Sequence, residues 1–350
     1  MKEDLFDKIM DEILIPIEKL DYILDTSYFL KDTGSFYYTE GYYHPGGRVI
    51  GKIIYYPDKK GESFIHGRPY TSVVKKEVDG EEIYIPHDEQ IRIHYQVDKS
   101  LKPEQQKLLV ADYLVAVPLD DFVGFFDPKK SLRYAMEHHK EVDAAVRKAS
   151  ELLEVPVERM GVTGSSAFGR RTKGSDIDLV MFGTPEENFE AVKKIWGMSY
   201  VDRDKRVVKY GKFWPLKFYL GKQEMCCFFA YSRKKDIPLA DCRIELVKDG
   251  VVAYGTIKDN INSYYMPVIL ELEDVWVDAE RDEDIRLIIY DGAVRGEFFL
   301  GERLHIEGRL IRVTNGEGSY TALLASDGHN VQKEHFHHGV PKFKQEIMRM

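Results

Sequence analysis

The stretch Gly161-Val162-Thr163-Gly164-Ser165-Ser166-Ala167-Phe168-Gly169-Arg170-Arg171-Thr172-Lys173-Gly174-Ser175-Asp176-Ile177-Asp178-Leu179-Val180 decides how the chain is read. Met160 to Thr163 is short and apolar, so it predicts a strand that runs into a turn of small residues. Further on, Asp176 and Asp178 flank one apolar residue, Ile177. Side chains alternate along a strand, so both carboxylates leave one face while Ile177 enters the other, buried face. Two carboxylates that close repel each other unless a cation lies between them. Hard oxygen donors of this kind suit Mg²⁺, with Mn²⁺ as a substitute. The Gly164-Ser165 turn predicts a helix start whose backbone N–H groups face phosphates, and Arg170, Arg171 and Lys173 bring positive charge to the same place. A phosphate cradle at a strand end opposite a metal-binding strand is what phosphoryl or nucleotidyl transfer needs.

Gly164-Ser165, ten intervening residues and then Asp176-Ile177-Asp178, preceded by Ser175, form a spaced pair of motifs. In this respect the chain resembles the DNA polymerase β nucleotidyltransferase superfamily, and its Ser-Asp-Ile-Asp form is similar to the small kanamycin-nucleotidyltransferase-like members. The likeness covers about residues 160–231. It implies Mg²⁺-dependent transfer of NMP from an NTP to an acceptor hydroxyl, with Asp176 and Asp178 holding metal and Gly164, Ser165, Arg170, Arg171 and Lys173 contacting the nucleotide. It also implies a third carboxylate on a neighbouring strand. Glu224, which opens the apolar run Glu224 to Tyr231, is the first candidate, and Glu245 is the alternative. The family usually carries Asp there, so either Glu is a departure. A second expectation is a chain that keeps this fold without activity, as a nucleotide- or nucleic-acid-binding scaffold.

Outward from this core, the pattern predicts an α+β protein. Residues 121–240 hold the nucleotidyltransferase core with a mixed sheet. Its helices are expected over Leu132 to Leu153 and Glu186 to Ile195, and a hairpin over Phe213 to Leu220 and Glu224 to Tyr231. Residues 1–120 read as a leading helix, with Leu5, Ile9, Ile13 and Ile17 at spacing four, and a β-rich module from Phe36 to Tyr95. The tyrosines around Tyr37 to Tyr43 are more often core than binding surface, and His44 and Arg48 more often turn and sheet-edge residues. Residues 241–327 carry five strand candidates, Val251 to Ile257, Pro267 to Leu272, Ile285 to Tyr290, Leu304 to Val313 and Tyr320 to Ala325. Such spacing suggests an OB-like barrel that either binds an RNA or DNA acceptor, with Tyr264, Tyr265, Tyr290, Arg295, Arg309 and Arg312 as candidate contacts, or, given the acidic segment Glu271 to Asp284, serves equally as a protein-contact or structural module. Residues 328–350 read as a polar tail, whose His329, His335, His337 and His338 lack partners at metal-ligand spacing.

The composition bounds these readings. With 50 Lys and Arg against 59 Asp and Glu, the 350-residue chain carries a net charge of −9, which argues against broad coating of nucleic acid while leaving local basic surfaces open. No uninterrupted apolar run reaches the length of a membrane span, and the N-terminus lacks the pattern of a secretory signal, so no membrane association and a cytoplasmic location are expected. Three cysteines, Cys226, Cys227 and Cys242, read as reduced thiols rather than a disulfide framework.

Overall fold

The computed structural model describes residues 4–102, 108–172, 174–282 and 284–334. It is a mixed α+β fold that divides into two compact units, one of residues 1–40, 46–108 and 112–181, the other of residues 41–45, 109–111 and 182–350. Among the described residues, no helix is long and apolar enough to cross a membrane.

The first unit opens with α1 (Leu5–Ile13), whose apolar stripe buries Phe6, Ile9, Met10 and Ile13, and continues directly into β1 (Leu14–Pro16). The chain then builds an antiparallel sheet from β2 (Tyr28–Lys31), β3 (Phe36–Thr39), β4 (Arg48–Pro57), β5 (Ser63–Ile65) and β6 (Arg68–Ser72). A separate hairpin, β7 (Lys75–Val78) and β8 (Glu81–Tyr84), precedes α2 (His87–Val97). The expected β pattern up to Tyr95 therefore gives way to a helix. Pro86 fixes its entry, Asp88 and Glu89 occupy the first turn, and Gln90 and His94, four residues apart, face inward. Two later strands, β9 (Val115–Pro118) and β10 (Phe122–Phe126), complete the sheet in the order β1-β10-β2-β3-β4-β6-β5, with β9 also on β4.

Both faces of this sheet are covered, as strict alternation dictates. Tyr28, Leu30, Phe36 and Ile54 pack on one side with α1, Tyr70 and Phe168; Phe29, Tyr37, Val49 and Ile53 pack on the other. Tyr37 is thus a core residue, and its hydroxyl donates to the carbonyls of Val49 (2.9 Å) and Val115 (2.6 Å). Two helices follow, α3 (Pro128–His138) and α4 (Lys140–Leu153), where a single helix was expected. Asp127 caps the first by accepting from Lys130 N at 2.7 Å. The break is the extended His139, next to a second weak helix former whose ring closes on the Tyr134 carbonyl at 2.9 Å. Beyond α4, β11 (Met160–Val162) pairs antiparallel with β12 (Ile177–Gly183), Met160 opposite Met181.

In the second unit, α5 (Pro185–Trp196) starts with a reciprocal cap between Thr184 and Glu187. The strands β13 (Arg206–Lys209), β14 (Lys212–Leu220) and β15 (Gln223–Tyr231) form an antiparallel meander. A second sheet follows, made of β16 (Arg243–Asn262), β17 (Val268–Val277), β18 (Glu280–Arg281), β19 (Ile285–Ile289), β20 (Arg303–Asn315), β21 (Gly318–Ala325) and β22 (Val331–Lys333). β16 pairs with β17 and, along its other half, with β20; β17 pairs with β19, β19 with β21 in parallel, and β21 with β20. Gly308 sits where this sheet bends tightly: a Cβ there would lie 2.4 Å from the Leu324 carbonyl oxygen. The interior is aliphatic, with Val251, Leu270, Leu287, Leu304 and Leu323 among its members.

An aromatic stack joins α5, β15 and the β16–β17 connection. The Tyr231 ring lies on Tyr265 at 3.9 Å, the Tyr265 hydroxyl accepts from Asn188 Nδ2 at 2.9 Å, and the Tyr264 hydroxyl donates to the Pro185 carbonyl. Tyr264, Tyr265 and Tyr290 are fully buried, which corrects the expectation that they face a bound strand. Burial pushes the Tyr265 hydroxyl far above its ordinary pKa, so it remains protonated within this stack. Arg309 reaches Asp249 (3.1 Å) and the Leu109 carbonyl (2.8 Å), whereas Arg312 is exposed.

Candidate active site

β11 ends at Val162, and the chain turns back through Thr163 and Gly164, the latter at φ +62°. Thr163 N donates to the Asp178 carbonyl (2.9 Å), which fixes the end of β11 against β12. Gly164 then passes directly over the Asp178 side chain: a Cβ at position 164 would stand 2.0 Å from Oδ2 and 2.9 Å from Cγ. The two halves of the sequence motif are therefore in contact, and only glycine fits where they meet. Asp176 and Asp178 are both half-buried, and Ile177 between them is fully buried, as the alternation requires.

The helix expected behind Gly164-Ser165 is a single five-residue 3₁₀ turn, Gly164–Phe168. Gly169 at φ +71° ends it, with its N–H on the Ser166 carbonyl at 3.2 Å, and Phe168 leaves as a plug into the aromatic core, 4.5 Å from the Phe36 ring. The turn is pinned from several sides. Ser131 Oγ donates to the Ala167 carbonyl (2.6 Å), His66 Nε2 bonds the Phe168 carbonyl (2.7 Å), and Thr163 Oγ1 donates to the Thr26 carbonyl. Such a pinned turn holds its backbone in place before any ligand arrives.

The basic residues separate into two roles. Arg171 is half-buried and donates through Nη1 to the Asp176 carbonyl at 2.8 Å. Burial draws its pKa down, against the opposing charges of Glu141, Asp176 and Asp178. Arg170 points to Tyr55, its Nη1 donating to the hydroxyl at 3.0 Å and its guanidinium 5.5 Å from the ring centre. Ser165 is half-buried, and its carbonyl accepts from Arg170 N at 3.0 Å. Lys173 lies outside the described residues.

Tyr28, Tyr55 and Thr26, none of them singled out from the sequence, support this place. The Tyr28 hydroxyl is driven well above its ordinary pKa by burial first and then by the charges of Tyr55, Asp178 and Asp176. These residues lie more than 100 positions upstream, Tyr28 and Tyr55 in a different sheet and Thr26 in the turn before it, and nothing local to them signals the role.

Asp178 on β12, with a backbone turn packed against it, and Asp176 one residue before that strand supply hard oxygen donors of the kind a divalent cation takes. Elsewhere among the described residues, Glu12, Glu137 and His138 bring three ligand-type atoms within 4.8 Å, on the exposed surface of α1 and α3. Glu224, in the second unit, is buried at the start of β15, opposite Tyr219. Its carboxylate meets Lys209 Nζ and, at 3.4 Å, Lys217 Nζ. Glu245 is exposed on β16 and paired with Arg243 at 2.9 Å. Of the histidines expected in the tail, His329 lies in a short turn, Gly328–Asn330, that Asp327 caps by accepting from His329 N at 2.8 Å, and His335, His337 and His338 lie outside the described residues.

Residues 142–234 match the family model of a nucleotidyltransferase domain. The matched segment runs from within α4 through β11, the Gly164 turn, β12, α5 and the β13–β15 meander, so it contains every one of these elements and about a quarter of the chain. The match supports the nucleotidyltransferase superfamily for this segment and NMP transfer in general. No curated protein and no solved structure matches the chain.

Proposed function

We propose that the chain is a divalent-metal-dependent nucleotidyltransferase that moves NMP from an NTP to an acceptor hydroxyl, the acceptor being a nucleic-acid end. The observation that carries this is the contact of Gly164 with the Asp178 carboxylate, which couples the phosphate-side turn to the carboxylate strand. Asp176 and Asp178 would hold Mg²⁺ or Mn²⁺, which when bound neutralises phosphate charge and lowers the pKa of a coordinated hydroxyl. Ser165 and the turn orient the triphosphate, with Arg170, Arg171 and Lys173 offsetting its charge. The acceptor oxygen bonds the α-phosphorus, the bond to the bridging oxygen of the β-phosphate breaks, and pyrophosphate leaves. Glu224 takes the acceptor proton in this scheme. Glu245, the alternative, is exposed and paired with Arg243.

The domain is assigned to residues 121–240, with the N-terminal module at 1–120 and an OB-like barrel from 241 to 327, to whose sheet β22 (Val331–Lys333) adds a further strand on β20. The barrel assignment is supported by β20 pairing back to β16 and by the parallel β19–β21 pair. Cytoplasmic residence is part of the same proposal.

The test is incubation with each α-³²P-labelled NTP and Mg²⁺, with and without cellular RNA. Label on RNA is expected, lost in Asp176→Ala with thermal unfolding little changed. A second possibility, an inactive nucleotide-binding scaffold, draws on the two lysines that already hold Glu224. It is the outcome if Mn²⁺ and NTP bind while no label moves.

A further inference from the structure

The hairpin of β13 and β14 differs in charge from the rest of the molecule. Between Lys205 and Lys222 the chain has six basic residues, Lys205, Arg206, Lys209, Lys212, Lys217 and Lys222, and no acidic one, in a protein of net charge −9. Tyr210 and Gly211 turn the chain at φ +55° and +72°, placing Val208 opposite Phe213 and Lys209 opposite Lys212. Val208 is 59% and Tyr210 47% exposed, large apolar groups left on the surface at the tip of the β13–β14 hairpin. Beside them the Trp214 ring is held by its Nε1, which donates to the Lys209 carbonyl at 3.2 Å. Two ammonium groups stand over this ring, Lys212 Nζ at 5.2 Å and Lys217 Nζ at 5.3 Å from its centre. Acidic partners offset part of the charge: Glu297 pairs with Lys212 (2.6 Å), Glu224 with Lys209 and Lys217, and Asp202 with Lys205 (3.4 Å). Lys222, in the next turn, is exposed.

We propose that this hairpin is a docking surface for a single-stranded polynucleotide, whose phosphates lie on Lys205, Lys212, Lys217 and Lys222 while an unstacked base covers Trp214 or Tyr210. The choice of occupant rests on charge complementarity and on the interleaving of aromatic and basic groups, since ammoniums recognise phosphate and flat rings recognise bases that are free of a duplex. A purely acidic peptide would use the lysines and leave the rings idle. A duplex would present its phosphates and hide its bases. The inference deepens the proposed function by giving the acceptor strand a place, and it rests on that proposal only for what the strand is used for.

The experiment uses the full chain, fluorescein-labelled 20-nucleotide oligo(U) and oligo(dT), and a blunt duplex of equal length, without NTP or Mg²⁺. Failure of transfer and failure of binding are thereby read separately. Fluorescence anisotropy should show single-strand binding that weakens with salt, and the duplex should bind at least tenfold more weakly. Lys212→Gln and Lys222→Gln should each lower affinity severalfold and reduce the salt slope by about 0.7 to 0.9. Intrinsic tryptophan fluorescence should be quenched by oligo(dT), with the quenching lost in Trp214→Phe and kept in Trp276→Phe, a conservative pair that leaves folding intact. Trp276 is the right control because it is 43% exposed on β17, beside Tyr254 of β16. Absence of binding at 50 mM salt, quenching that follows Trp276, or equal affinity for the duplex overturns the proposal.

Discussion

At the scale of single residues, the decisive position is Gly164. Alanine there meets the Asp178 carboxylate at a φ of +62°, so either the turn or the carboxylate must move. Gly164→Ala is expected to cost about 1–2 kcal/mol of stability in urea unfolding. In the labelled-NTP assay it should also lower nucleotidyl transfer by at least two orders of magnitude, because the displaced oxygen is one of the proposed metal ligands. A second residue-scale prediction concerns His94, fully buried on α2 with neither ring nitrogen hydrogen-bonded among the described residues. Burial depresses its pKa to about 3, with the Lys52 charge acting in the same direction and Asp98 against it. Its folded pKa lies below the unfolded value near 6.5, so the ring's contribution is intact above pH 6.5 and is lost as pH falls toward 3. Between pH 7 and pH 5 that amounts to about 2 kcal/mol. Urea titrations at the two pH values should show this loss, and His94→Phe should remove most of it.

At the scale of elements, α5 owes its start to Thr184, whose Oγ1 accepts from Glu187 N at 3.3 Å while Glu187 Oε2 accepts from Thr184 N at 2.9 Å. Thr184→Ala should cost about 1 kcal/mol, seen as a lower urea midpoint at unchanged slope. This helix was legible before the structure because its signals are local: a Pro at the start, acidic residues in the first turn and apolar residues at period 3.6. The strand β12 was legible for the same reason, the buried Ile177 and half-buried Asp178 marking its period of two, although Asp176 stands one residue before its start. The break at His139 was not, because the apolar spacing continues across it. Nor was α2, whose apolar residues Ile91, Ile93, Tyr95 and Val97 alternate as a strand's would, while its most buried residues, Gln90 and His94, are polar. The contribution of Thr26, Tyr28 and Tyr55 to the site was hidden more deeply, since it depends on which strands of a distant sheet pack near the turn.

At the scale of the whole molecule, the tyrosines Tyr264 and Tyr265 act as a joint within the second unit rather than as a nucleic-acid platform. The sequence left strand binding and a structural role equally open for this barrel; the aromatic stack with Tyr231 and the bond to Asn188 place these two rings in the interior. Tyr265→Ala should therefore destabilise the protein by about 4 kcal/mol in urea unfolding. Under native conditions its oligonucleotide affinity, measured by anisotropy, should stay within twofold of the parent. The long β16 has a consequence for the moment of synthesis. Its first residues pair with the far end of β20, Arg243 with Thr314 and Ile244 with Val313. A ribosome adding roughly 5–20 residues per second leaves that segment without its partner for several seconds. A bare strand edge waiting that long invites pairing with a neighbouring nascent chain. Charges at Arg243, Glu245, Lys248 and Asp249, together with the register shifts around Lys248, fall in this waiting half of the strand, where they guard the newborn chain until its proper partner emerges.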